Sequence, residues 1–89
     1  MNDIVKVLVT WLQWEFGDER RLDTSSIPYY AVLPRSWEAM IPDLAERLGV
    51  RQAIIMLVMS QLYWRQGKDL SPLEVYVIVT DAIEEFKKC

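Results

Sequence analysis

From Ala53 to Met59 the chain reads Ala-Ile-Ile-Met-Leu-Val-Met without a polar residue, inside a segment of helical length from about Arg51 to Gln66. A helix with that run at its middle has no solvent face to offer, so neighbours must enclose it. The run is also far short of a bilayer span, which takes about 20 apolar residues. A central buried helix is therefore expected, and the remaining segments have to cover it.

Asn2 or Asp3 can cap a first helix over residues 3–16, with Gly17 suited to end it. Lys6, Thr10, Gln13 and Gly17 form one narrow polar stripe, and Ile4, Val5, Val7, Leu8, Val9, Trp11, Leu12 and Trp14 occupy the rest of the surface. Such a helix packs on more than one side. Residues 17–26 mix charges of both signs with Thr24-Ser25-Ser26 and are expected as a loop. Ile27-Pro28-Tyr29-Tyr30-Ala31-Val32-Leu33 has the aromatic and β-branched content of a short strand, with Pro28 at its edge or start.

After Pro34, Ser36 can cap a helix whose Trp37, Met40, Ile41, Leu44, Ala45 and Leu48 recur at helical spacing up to Gly49. Pro42 lies inside that span. It must either kink the helix or split it into a short turn and a second helix that starts there. The clearest local signal is Ser71-Pro72-Leu73-Glu74, where a capping Ser, a Pro at the first helical position and a Glu three residues after the Ser begin a helix over 72–88. Val75, Tyr76, Val79, Ala82, Ile83 and Phe86 form its apolar face, and the β-branched run Val75 to Val79 keeps a strand alternative open.

Eighty-nine residues make one domain with a core that is marginal on size alone, yet 52% of the residues are hydrophobic and four are Trp. That excess, spread over three helices with narrow polar stripes, points to a two-fold dimer. A lone Cys89 excludes an intrachain disulfide, and a chain without His is poorly equipped for zinc, so neither a metal nor a cofactor is expected. Met1-Asn2-Asp3 lacks the basic start of a secretory signal, and Lys6 and Gln13 interrupt the segment that follows. A soluble cytoplasmic protein with no membrane association is the expectation. The formal charge of −3 works against nonspecific nucleic-acid binding, although a local basic patch can still hold DNA.

The order of elements over residues 27–64 resembles the ribbon-helix-helix family of dimeric DNA-binding proteins. Leu33-Pro34 matches the hydrophobic-Pro end of the family's strand, Ala45 and Gly49 match the end of its first helix, and Ile55, Val58, Met59 and Leu62 match its buried second helix. The resemblance implies a mainly α homodimer with one short strand per chain. N- and C-terminal helices would be added to that core, and an all-α bundle is the alternative. In the family geometry Tyr29, Ala31 and Leu33 face the dimer core, together with Ile55, Val58, Met59 and Leu62. Pro28, Tyr30 and Val32 then face the major groove, with Tyr30 and Val32 as readers of double-stranded DNA. Arg51 and Gln52, at the start of the second helix, are placed to hold a phosphate, helped by Arg35 and by Arg20-Arg21, whose field Asp18, Glu19 and Asp23 oppose. A helix-turn-helix reading of the same residues would present Gln52, Ala53, Met56 and Leu57 to the groove, which is too apolar a surface for bases and phosphates.

Two function classes follow. One is a small DNA-binding regulator. The other is a helical protein-interaction module that binds and modulates a larger partner, favoured by the excess apolar surface, the acidic balance and a ribbon poor in polar side chains. Trp11, Trp37 and Trp64 sit at apolar helical spacing and are expected in core or interface rather than on a base-stacking platform, as are Met40, Met56 and Met59. No small-molecule substrate is evident. Catalysis is not expected, because the chain has no His, no Gly-rich phosphate loop and no nucleophile with a recognisable base, and Asp43, Glu46, Glu84 and Glu85 fall at ordinary helix-surface positions. The first helix lacks the basic face of a membrane-surface helix.

Overall fold

The computed structural model describes residues 3–16, 33–66 and 69–88. They form α1 (Asp3–Phe16), α2 (Arg35–Glu38), α3 (Ile41–Leu48), α4 (Gln52–Gln66) and α5 (Pro72–Lys88), with no strand among the described residues. Pro42 splits rather than kinks its segment. It carries no N–H for the carbonyl one turn back, so α2 ends after a single turn, Ala39 and Met40 turn the chain, and α3 restarts with Pro42 in its first turn. Ser36 does not cap α2, because the helix begins earlier, with Pro34 in the capping position and no side-chain cap.

The end of α3 is fixed by backbone chemistry. Gly49 adopts φ +67° and ψ +35°, a left-handed conformation that glycine takes without a Cβ penalty. The turn this creates lets Val50 N–H donate to the Ala45 carbonyl at 3.1 Å and Gly49 N–H to the Glu46 carbonyl at 3.3 Å. This is the Schellman pattern, in which two otherwise unpaired carbonyls are satisfied. Lys87, in the last turn of α5, donates from Nζ to the Leu48 carbonyl and ties the two helix ends together.

At the start of α5, Glu74 N–H donates to Ser71 Oγ at 3.2 Å, and the Ser71 hydroxyl donates to Glu74 Oε1 at 3.1 Å. The capping residues read from Ser71-Pro72-Leu73-Glu74 are thus used, and the segment 75–79 is helical.

α4 lies at the centre. Its Ile54, Ile55, Leu57, Val58, Met59, Ser60 and Leu62 are all buried. The one polar member, Ser60, donates its hydroxyl to the Met56 carbonyl at 2.8 Å, so it needs no outside partner. α3 packs on one side of α4, and α1 and α5, which pack most extensively on each other, close the rest. Ile4, Val5, Leu8 and Leu12 point inward from α1, and Val75, Ile78, Val79, Ala82, Ile83 and Phe86 from α5. Trp37 is 1% exposed and meets Tyr63 edge to face, with centroids 5.6 Å apart and planes at 87°.

This architecture corrects the ribbon-helix-helix expectation in favour of the all-α bundle. A ribbon-helix-helix chain leaves the second helix for its partner to cover, whereas here helices of the same chain already enclose α4. Ile55, Val58, Met59 and Leu62 are each 0% exposed. Most of the expected strand, residues 27–32, lies outside the described residues, as does the loop expected over 17–26. Leu33, its last residue, is buried in the bundle core ahead of Pro34.

Candidate functional site

The inward residues of α1 recur at Ile4, Leu8 and Leu12, so positions about half a turn away are carried to the outside of the bundle. Those outer positions are Lys6, Val7, Thr10 and Trp14, all exposed. Val7 is 39% exposed and Trp14 is 85% exposed. Together with half-buried Trp11 and with Arg65 from the last turn of α4, they line an open groove of about 380 Å³. Its walls are mostly carbon. Among the described residues the charged side chains that line it are Lys6 and Arg65, both positive, and no carboxylate does. Trp64, next to Arg65 at the end of α4, is 77% exposed. That removes the core from its expected place in core or interface; Trp37 is in the core and half-buried Trp11 packs against it.

A second pair of exposed apolar side chains, Leu73 and Val77, lies one turn apart on α5 beside the exposed carboxylates Glu74 and Asp81. Between α3 and α5 the Tyr76 hydroxyl donates to Asp43 Oδ2 at 2.8 Å and accepts from Arg47 Nη1 at 2.8 Å. Arg47 also stands 5.8 Å from the centroid of the Tyr76 ring. The Tyr76 hydroxyl is thus used both as donor and as acceptor, and the trio acts as a surface clamp between two helices. Among the described residues no group of three or more His, Cys, Asp or Glu side chains is arranged to hold a metal ion. None of the described helices is long and apolar enough to cross a membrane.

The residues expected to meet DNA are not gathered into one surface by any described contact. Tyr30 and Val32 lie outside the described residues, as do Tyr29 and Ala31 of the expected dimer ribbon. Arg35 is the exposed first residue of α2. Arg51 is exposed and precedes α4, its carbonyl accepting from Ile54 N–H at 3.0 Å, and Gln52 is the exposed first residue of that helix. The other residues expected at a dimer interface, Leu33, Ile55, Val58, Met59 and Leu62, are core residues of the single chain.

Val7, Trp14 and Arg65 were not singled out as site residues by sequence reasoning, and Trp64 was expected in core or interface. A signal was present for two of them. Lys6 and Thr10 mark the solvent stripe of α1, and Trp14 continues it one turn after Thr10 while Val7 flanks it. Arg65 had none, because α4 is apolar on every side from Ala53 to Met59 and its exposed last turn is a product of the packing. Comparison with protein-family models, with characterised proteins and with solved structures finds no match to this chain.

Proposed function

We propose that this chain is a non-enzymatic helical protein-interaction module that engages a larger protein through the outer face of α1 and the end of α4. The observation that carries this reading is the exposure of Trp14 and Trp64 on a chain whose core is otherwise closed. Neither ring is needed to cover α4, which is already enclosed. Burying a Trp against a partner removes roughly 150–250 Å² of surface from water. Trp14, Trp64, Val7 and the open side of Trp11 would then supply much of the roughly 800 Å² per partner that a stable interface buries. Tryptophan is also the residue type most enriched among side chains that dominate binding energy.

The regulator reading depended on a ribbon to enter the major groove. No described residue forms such a ribbon, and the net charge of −3 does not favour binding to phosphates, so the interaction reading is preferred.

The test is quantitative crosslinking in the native host, with the tagged chain at its natural level. A protein crosslinked in near-stoichiometric amount to the wild type is expected to fall at least about tenfold with Trp14→Ser/Trp64→Ser and to persist with Leu73→Ser/Val77→Ser. Equal recovery by both variants, or no stoichiometric partner for the wild type, would overturn the proposal.

A further inference from the structure

Resting on that interaction reading, we propose that the groove between α1 and α4 takes an acidic amphipathic helix of the partner. Its apolar anchors seat against Val7, Trp11 and Trp14, and its carboxylates pair with Lys6 and Arg65.

The spacing of the apolar wall selects a helix. Val7, Trp11 and Trp14 stand at i, i+4 and i+7, one stripe along about 10 Å of α1. A partner helix presents its own anchors with the same i, i+3, i+4, i+7 rhythm, so the two stripes can run side by side. The groove, at about 380 Å³, has the size of sites that seat apolar groups with a few polar ones at the edge. It is open rather than enclosed, as an elongated occupant requires.

The charges select the sign. The whole chain carries 13 acidic and 10 basic side chains, yet among the described residues both charged side chains that line this groove are basic. An acidic helix would therefore meet two cations beside the apolar stripe, on a chain whose net charge otherwise opposes it, which favours one docking register over others. The indole faces matter too. With a partner in place they exclude water from beside the Lys6 and Arg65 pairs, so those pairs are screened less than ion pairs on an open surface. The exposed Thr10 hydroxyl, between the turns that carry Val7 and Trp14, can donate to a further carboxylate. A basic helix of the same apolar pattern would instead place like charges against Lys6 and Arg65. A single nucleic-acid strand could stack on Trp14, but among the described residues the groove offers it two cations for its phosphates.

The test measures binding of fluorescently labelled helical peptides by anisotropy. One has Leu and Phe at i, i+3, i+4 and i+7 with Glu at the other positions. A second has Lys in place of every Glu, and a labelled oligothymidylate is the third probe. At low salt the Glu peptide is expected to bind at least about tenfold more tightly than the Lys peptide, with the gap shrinking toward about 0.5 M salt. Lys6→Glu/Arg65→Glu is expected to invert that order, and Trp14→Ser to weaken the Glu peptide at least about tenfold. All three altered side chains are exposed, and a far-ultraviolet circular dichroism spectrum verifies that each variant is folded. Equal affinity for both peptides, lost in Trp14→Ser, would overturn the acidic specificity while leaving the interaction module standing. Binding of neither peptide, or binding indifferent to Trp14→Ser, would overturn the groove as the docking site, and the crosslinking experiment would then decide the module on its own. Oligothymidylate that displaces the Glu peptide would overturn the proposal and reassign the groove to nucleic acid.

Discussion

Replacing Gly49 by Ala tests whether the junction between α3 and α4 is built as described. An L residue in the left-handed region costs about 1–2 kcal/mol through contact of its Cβ with the following carbonyl. Part of this is offset by about 0.4–1 kcal/mol, because alanine restricts the unfolded chain more than glycine does. Steric collision adds nothing further. A Cβ placed on Gly49 meets only Lys87 Nζ, at 3.7 Å, which is an ordinary contact with the end of a flexible side chain. The net loss should therefore be about 1 kcal/mol, equivalent to roughly 4–8 °C in Tm for a domain of this size. Urea unfolding followed by circular dichroism should show a lower midpoint with an unchanged slope. Gly49→Asn should lose less, since asparagine tolerates this conformation. A loss above about 3 kcal/mol would mean that the Cβ has no room, and a gain in stability would mean that Gly49 is not left-handed in solution; either refutes the geometry.

Met59→Ala should destabilise the fold by about 2–5 kcal/mol, since a fully buried side chain of the central helix is replaced by a cavity, whereas Trp64→Ser should stay within about 0.5 kcal/mol; thermal melts of the two variants check the contrast. Ser71→Ala should cost about 1 kcal/mol by removing the acceptor for Glu74 N–H, read as a shift of the urea midpoint. Tyr76→Phe breaks both hydrogen bonds of the Asp43 and Arg47 clamp, and because water can replace them its cost should remain below about 1 kcal/mol in the same assay.

Where local chemistry fixes the backbone, the sequence was legible to the residue. Asp3–Phe16 and Pro72–Lys88 begin and end where capping and periodicity placed them. Pro42 left two outcomes open, and the split follows from the hydrogen bond it cannot make. The family resemblance misled for a related reason. Leu33-Pro34, Ala45 and Gly49 are marks of helix punctuation: a proline that ends an extended approach, a carbonyl three residues before the cap and a left-handed glycine serve any helix pair that turns this way. They report how α2 begins and how α3 ends, and carry no information about whether a neighbouring chain supplies the cover for α4. That question was decided by tertiary packing. Ile55, Val58, Met59 and Leu62 would look the same in sequence whether enclosed by a partner or by α1, α3 and α5. The groove was half legible, since α1 showed its solvent stripe, but Arg65 joins Lys6 only through the fold.

The extensive packing of α1 on α5 sets an order of events for a growing chain. α3 and α4 are neighbours in sequence and can pair as soon as both are made, because the loop between them is short and closing it costs little entropy. α1 cannot be covered in the same way. Its principal cover, α5, starts only at Pro72, so Ile4, Leu8 and Leu12 lack that cover until the intervening segments and α5 have been made. At translation rates of roughly 5–20 residues per second, that is an interval of several seconds in which the earliest helix is the most exposed to aggregation or to chaperones. Production of this chain should therefore depend more on how quickly its final helix is completed than on any local stability of its first.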